Sequence, residues 1–341
     1  MREVTAALAA VLGCALVGAA PQAPVFPRGL DTYLTSSVRL TPAERQSLLA
    51  GAPVTKILDA DPSHEVAVFG AVWIKASPDD YVRVVTDIEA FERGENFLVT
   101  KKISEPPRLE DFAALELPED DIDDLRACKV SDCAVKISQE GLDRLRREVN
   151  WAQPTARADA NALMREIAFE YVTAYRAGGN AKLAVYRDQA HPTFVAKEFE
   201  TMVNRMPELT IHLPSLRTYL LEYPSFTLPE STSFLYWQTV VFGLKPTTRI
   251  NHVVIAKGAE GTAVVTKHLY ASHYFWTALE LRALVPDPAH GPGFWFVNVN
   301  RSRSDGLSGF IGSLLRGRVR SEAQSGMQAA LTITKQRLEG R

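Results

Sequence analysis

The sequence predicts an α+β fold with antiparallel strands, a long C-terminal helix and a helical insertion in the middle of the chain. Three observations predict it. An early strand and an early helix follow each other at residues 64–76 and 77–94. Several segments after residue 231 alternate with a period of two, which is typical of strands. The final segment, residues 307–339, contains no proline and carries apolar residues at helical spacing.

The N-terminus predicts export. Arg2 is followed by an uncharged run to Ala20 that ends in small residues, as in a secretory signal peptide. Val17-Gly18-Ala19 places cleavage before Ala20, so residues 1–19 are the signal and 20–341 a single mature domain, periplasmic or extracellular. An alternative is a lipid anchor on Cys14, because Val-Leu-Gly-Cys is close to a bacterial lipoprotein cleavage box.

Signal removal would leave two cysteines, Cys128 and Cys133, separated by four residues. A zinc site needs two more thiolate or imidazole ligands at a recognisable spacing, and none lies near this pair. Thioredoxin-type redox motifs have two intervening residues. The pair therefore predicts a local disulfide, which stabilises by about 2 kcal/mol on the chain-entropy estimate.

Composition indicates a globular protein, with 46% hydrophobic and 23% charged residues and a net charge of −2. The charge argues against a nucleic-acid partner, since phosphate binding requires a basic excess. Gly-x-Ser-x-Gly, His-Glu-x-x-His and glycine-rich phosphate-binding motifs do not occur in the sequence, so no catalytic residue, cofactor or metal site is predicted. The acidic run 120–124 lacks the pattern of a calcium loop and predicts a solvated turn before a disulfide-closed hairpin.

Helix signals begin with Thr41 as N-cap, Glu44 completing a capping box and Gly51 ending the helix. In the strand at 64–76, both alternating sets of residues are apolar, which predicts cover on both faces. Ser77 starts the next helix and Gly94 ends it. The segments "NFLVTKKIS" and "CKVSDCAVKIS" predict extended structure.

Residues 139–225 form the predicted helical insertion, interrupted by four prolines. Beyond it, four segments predict strands: "SFLYWQTVVFG", "TRINHVVIAKG", "TAVVTKHLYASHYFW" and "GFWFVNVNRSR". The last helix carries a predicted packing stripe that includes Ile311, Leu315, Val319 and Met327. Arg316, Arg318 and Arg320 predict a solvated face or a peripheral membrane contact.

This order of elements resembles the START-like, or helix-grip, superfamily. The resemblance rests on "VAVFGAVWIKASPDDYVRVVTDIEAF" for the first strand and helix, and on the last strand with the helix that follows it. It implies a curved antiparallel sheet packed on the long C-terminal helix, around an apolar cavity for a lipid or other hydrophobic small molecule. The insertion at 139–225 departs from the family and puts the usual cavity in question.

Two polar groups are the candidate ligand-binding residues. On the strand around 268, alternation places His268, Tyr270 and Tyr274 on one face, either lining a pocket or meeting water. Arg301 and Arg303 share one side of the last strand. They predict either a site for a carboxylate or phosphate headgroup, or a strand end tied to an Asp305 helix cap.

These observations favour a secreted or periplasmic protein that binds a hydrophobic ligand. A second hypothesis is a hydrolase or cyclase-like enzyme that uses His268 with Tyr270, and with Asp305. A third is a structural partner in an envelope complex through the face that carries Arg316 to Arg320.

Overall fold

The computed structural model describes residues 26–241, 245–305 and 309–340, with the side chains of the final helix described from residue 316 onward. The predicted signal peptide, residues 1–19, lies outside the described residues, as does Cys14. The helices are α1 (Arg28–Ser36), α2 (Pro42–Leu49), α3 (Pro78–Thr86), α4 (Ile88–Phe91), α5 (Glu119–Ala127), α6 (Gln139–Glu148), α7 (Ala156–Gly178), α8 (Val195–Val203), α9 (Pro214–Glu222) and α10 (Gly309–Leu338).

The strands are β1 (Val54–Ile57), β2 (Glu65–Ile74), β3 (Phe97–Ile103), β4 (Val185–Tyr186), β5 (Thr193–Phe194), β6 (Ser231–Val240), β7 (Thr247–Gly258), β8 (Gly261–Ala271), β9 (Phe275–Pro286) and β10 (Phe294–Ser304). Eight of them form one antiparallel sheet in the order β1-β2-β10-β9-β8-β7-β6-β3, and β4 pairs with β5 separately. The predicted α+β class, with a large antiparallel sheet and a long C-terminal helix, is confirmed.

Both faces of the sheet are covered, as the pattern of β2 predicted. Ala67, Phe69, Ala71 and Trp73 belong to a core shared with α1, α2, α8 and α9. The alternate residues Val68, Val72 and Ile74 pack with α3 and α10. We call these two sides the insertion face and the α10 face. A third core joins the insertion face near β6 to residues of α5, α6 and α7.

Helix α10 docks along one edge of the sheet, on β1 and β2. Gly70 permits the close approach, because a Cβ atom there would lie 2.6 Å from Met327 Cγ. The packed side chains are Met327 and Leu331, whereas Val319, which belongs to the predicted stripe, is exposed. The side chains of Ile311 and Leu315 lie outside the described set.

Local signals at the starts of the early helices are confirmed. Thr41 and Glu44 form a capping box at α2, and Ser77 and Asp80 form one at α3. A side-chain oxygen that accepts from a free N–H of the first turn stabilises a helix start, and the sequence shows such a pair directly.

Three sequence predictions are wrong. The acidic run is helix α5 rather than a solvated turn, and its Asp121 is buried. The segment around the two cysteines forms isolated bridges, not a hairpin of regular strands. The segment "TAVVTKHLYASHYFW" is interrupted by a turn at residues 272–274, where Tyr274 has φ +62°, and β9 begins at Phe275.

The helical segment lies between β3 and β6 and includes α5 as well as the predicted block at 139–225. In the described part of the chain, no helix has the length and apolar character needed to cross a membrane.

Candidate functional site

Cys128 and Cys133 form the predicted disulfide. The loop that it closes is held against residues 187–188: Ser131 N donates to the Arg187 carbonyl and Cys133 N to the Asp188 carbonyl. Both cysteines are buried. The disulfide therefore closes the loop, and backbone hydrogen bonds hold that loop against the segment before β5.

Arg301 and Arg303 share one side of β10, as predicted, and both bind Glu65. Arg301 Nη1 lies 2.8 Å from Glu65 Oε1, and Arg303 Nη1 lies 3.2 Å from Glu65 Oε2. Arg303 Nε also donates to Glu198 of α8. The guanidiniums are thus neutralised by the protein's own carboxylates, and a role in headgroup binding stays a prediction.

Helix α10 begins at Gly309, and residues 306–308, on which the predicted Asp305 cap depends, lie outside the described residues. The Asp305 carboxylate lies 3.2 Å from Lys136 Nζ, and Lys136 also binds the buried Asp188. The strand end is thus tied to a lysine of the insertion, and the Asp305 cap with its Arg–Asp pair stays a prediction. Arg318 is exposed and pairs with Glu322 of the same helix, so a membrane contact of this face remains a prediction.

His268 and Tyr270 lie on opposite faces of the sheet, so the prediction that they share one face is wrong. The register shifts between residues 250 and 251: Ile250 pairs with Tyr270, but Asn251 pairs with His268, which leaves Leu269 as an extra residue. A β-bulge of this kind breaks simple alternation. His268 therefore lies on the α10 face of the sheet, whereas Tyr270 lies on the insertion face.

Tyr270 packs on the rings of Tyr171 and Tyr186, and its hydroxyl donates to the Lys136 carbonyl. Tyr274 accepts a hydrogen bond from the backbone N–H of Lys245 at 2.7 Å. Both tyrosines therefore have structural partners, and Tyr270 does not share a face with His268. An enzyme that uses these residues stays a prediction.

The α10 face carries a row of polar residues across its central strands, which we call the polar band. Its members pair with one another across the ladder: Gln238 with Arg249, Asn251 with His268, Thr266 with Glu280, and Arg282 with Asn298. Because directly paired residues of an antiparallel sheet project to the same side, the pairs form a continuous surface.

One half of the band is satisfied internally. Arg282 binds Glu280 through Nε and donates to Thr266 Oγ1 at 3.2 Å. Asn298 Nδ2 donates to Glu280 at 2.8 Å. Gln238, with its amide oxygen turned toward Arg249, accepts from Nε of that guanidinium at 3.2 Å. Charge is balanced here, since the arginine and the glutamate form an ion pair.

The other half offers polar atoms that have no hydrogen-bond partner among the described residues. Asn251 is fully buried, and neither its amide nitrogen nor its amide oxygen has such a partner. The other buried atoms of this face without a partner in the described chain include His268 Nδ1, Trp276 Nε1 and Asn298 Oδ1. Such atoms are costly in a protein interior, about 1–3 kcal/mol each, so several of them on one face make this face the candidate site.

Electrostatics keep this surface neutral. Burial, together with the nearby Arg249, lowers the pKa of His268 well below its usual value, so the imidazole is uncharged at neutral pH. Burial also raises the pKa of Glu92, which follows α4. A neutral imidazole can donate or accept at Nδ1, depending on its tautomer.

Beside the polar band, the same face is apolar. Tyr81 of α3 lies over Phe296, with ring centres 5.1 Å apart. The apolar side chains contributed by the strands include Val253, Ile255, Val264, Leu284 and Phe296. Two shallow surface depressions occur elsewhere, one at residues 286–293 and one between α3, α4 and Lys102. The described residues contain no cluster of potential metal ligands.

Of the predicted ligand-binding residues, the structure places His268 alone in the polar band. Arg301 and Arg303 lie together at Glu65 on the insertion face, and the two tyrosines lie apart from both groups. Asn251, Trp276 and Asn298 were missed by sequence reasoning. The available signal was "TRINHVVIAKG", in which Asn251 interrupts an apolar strand.

Comparisons of the chain with protein-family models, with curated proteins and with solved structures find no match.

Proposed function

We propose that the protein binds a small amphipathic molecule on the α10 face, with the polar part of the ligand at Asn251 and His268 and its apolar part on the adjoining core. The observation that carries the proposal is the fully buried Asn251 amide. Within the described part of the chain its donor and acceptor are both unpaired, as is the neighbouring His268 Nδ1. Ligand pockets commonly combine apolar walls with a few such polar groups.

The chemistry of the band indicates an uncharged polar group on the ligand. Asn251 presents one donor and one acceptor side by side, and His268 is neutral. Arg282 is already paired with Glu280. A carboxamide, lactam or hydroxyl group complements these atoms better than a carboxylate or a phosphate.

The arrangement supports a helix-grip protein as the specific fold. β2 is followed by α3 and α4, it pairs with the last strand β10, and α10 packs over the same face that carries the polar band. The insertion packs on the opposite face, so it does not cover the polar band. The support for this fold thus lies in the order of the elements and in their packing.

The test is native mass spectrometry of the full chain purified from its own host, followed by binding of N-phenyl-1-naphthylamine, an apolar probe with one N–H donor. We expect a bound mass and a saturable rise in fluorescence. Asn251→Leu should abolish both while leaving stability equal or higher, since it replaces an unpaired buried amide with an apolar group of similar size.

Asn204→Leu is the matched control, because Asn204 is exposed on the opposite side of the molecule and bonds Arg217. It should bind as the wild type does. Wild-type protein that carries no bound mass and does not bind the probe would refute the proposal, as would undiminished binding by Asn251→Leu.

We also propose that the protein is exported. The Cys128–Cys133 disulfide supports this, because disulfides persist mainly in oxidising compartments. Intact-mass measurement on protein from the envelope fraction should show a mature N-terminus near Ala20. Retention of Met1 would contradict export by this signal, and a diacylglyceryl adduct on Cys14 would establish the lipid-anchored alternative.

A further inference from the structure

Lys267 is a buried amine on the insertion face, one residue before His268 in β8. It is 1% exposed. Its Nζ lies 4.2 Å from the ring centre of Phe199 in α8 and 5.1 Å from that of Tyr175 in α7. It donates to Tyr175 Oη at 3.3 Å and to Asn180 Oδ1. All of these partners are uncharged.

Among the described residues, no carboxylate forms an ion pair with this amine. Its pKa is lowered to about 7, and burial is the cause. A buried ammonium that has only neutral partners is costly, because neither solvent nor a counter-ion compensates its charge. At the contact between the sheet and the insertion, burial thus favours the neutral amine form of Lys267.

Other titratable or charged groups lie near Lys267 on the elements packed against it. They are Tyr175 and Arg176 of α7, Glu198 of α8, Tyr219 of α9, Tyr223 directly after α9, and His252 of β7. The pKa values of the three tyrosines are raised above their usual value, chiefly by burial. Burial, Lys267 and Arg176 lower the pKa of His252 to about 3.

Arg176 and Glu198 are held in ion pairs with Glu105 and Arg303. His252 pairs with Lys267 across the ladder, and its Nδ1 lies 3.0 Å from Tyr175 Oη. Tyr175 therefore accepts from the amine and donates to the neutral imidazole. Burial brings the pKa of Lys267 to about 7, close to neutral pH.

We propose that Lys267 makes the docking of α7 and α8 on the sheet pH-sensitive, so that opening of this contact becomes rarer as the solution becomes more alkaline. The residues involved are distinct from the proposed ligand site, although Lys267 and His252 are each adjacent in sequence to a member of the polar band.

The direction follows from proton linkage. When the contact is open, Lys267 meets solvent and regains its ordinary pKa of 10.5, whereas in the closed contact its pKa is about 7. Between these values the open form binds a proton that the closed form does not. Opening is therefore favoured about tenfold for each unit by which the pH falls, and it levels off below about 7. From pH 8.5 to pH 6, the open fraction should rise about thirtyfold.

The test is hydrogen exchange of the full chain at pH 8.5 and pH 6, followed by mass spectrometry, with exchange times scaled for the intrinsic effect of pH. We expect α7 and α8 to exchange about thirtyfold faster at pH 6, with β2 and α10 unchanged. Lys267→Met should remove the difference. Lys257→Met, which alters an exposed lysine paired with Asp79, should retain it.

A pH effect of equal size in Lys267→Met, or no effect in the wild type, would overturn the proposal. If Lys267→Met does not fold, NMR titration of the wild-type lysine side chains decides the question. One lysine should titrate near pH 7, and titration of every lysine above pH 9 would refute the proposal.

Discussion

Lys267 and His268 are neighbours in β8 whose side chains lie on opposite faces of the sheet, and each faces a polar residue of β7, His252 and Asn251 respectively. Two adjacent residue pairs of β7 and β8 thus place one polar group on each face of the sheet. The group on the insertion face is closed by Tyr175 and Asn180. The group on the α10 face retains atoms that no described residue pairs with, which is why it is the candidate binding surface.

Replacing Lys267 should change how global stability depends on pH. Because the folded-state pKa is about 7 and the ordinary value 10.5, the unfolded chain holds the proton more tightly between these values. The wild-type free energy of unfolding should therefore rise by about 3 kcal/mol from pH 7 to pH 10, relative to Lys267→Met. Urea denaturation of both proteins at three pH values measures this, and parallel curves would contradict it.

Glu65→Gln should destabilise the protein strongly. Glu65 is buried and binds both Arg301 and Arg303, which are buried as well. Removing its charge leaves Arg301 without a carboxylate partner, and breaking a buried ion pair costs about 3–5 kcal/mol. Glu322→Gln, which breaks the exposed pair with Arg318, is the control and should leave the denaturation midpoint unchanged. Similarly small effects of Glu65→Gln and Glu322→Gln would show that the buried ion pairs of Glu65 contribute little to the stability of the protein.

Gly70→Ala should loosen the docking of α10. The added Cβ would lie 2.6 Å from Met327 Cγ and 2.9 Å from Leu331 Cδ1, so the helix must move or repack. We expect a loss of about 1–3 kcal/mol in thermal or chemical unfolding. Gly326→Ala is the control, since its Cβ would meet nothing within 4 Å, and it should stabilise the helix by about 1 kcal/mol. Equal stability of Gly70→Ala and wild type would mean that α10 docks less tightly than the structure shows.

Removing the disulfide should cost little. The Cys128→Ser/Cys133→Ser double variant loses the restraint on a loop closed over a separation of five residues, about 2 kcal/mol on the chain-entropy estimate. Alkylation of the wild type before and after reduction should differ by two labels. Labelling of both thiols without reduction would show that the bond does not form in the protein as isolated.

The sequence by itself determined those features that depend on neighbours along the chain. The capping boxes at Thr41 and Ser77, the two-sided burial of β2 and the length of α10 follow from spacing over a few residues, because hydrogen bonds and side-chain periodicity act at that range. The disulfide could be predicted from the sequence for the same reason, since Cys128 and Cys133 are close along the chain and a short loop brings them together.

Only the tertiary structure decided which polar residues meet. Alternation predicted one face for His268 and Tyr270, but the extra residue Leu269 reverses the side of everything after it. Asp121 looked solvated in an acidic run, yet it is buried against His273, 152 residues away. Glu65, Arg301 and Arg303 likewise meet through the pairing of β2 with β10. Such contacts depend on register and strand order. Both are set by the pairing of all the strands of the sheet and cannot be read from the local sequence.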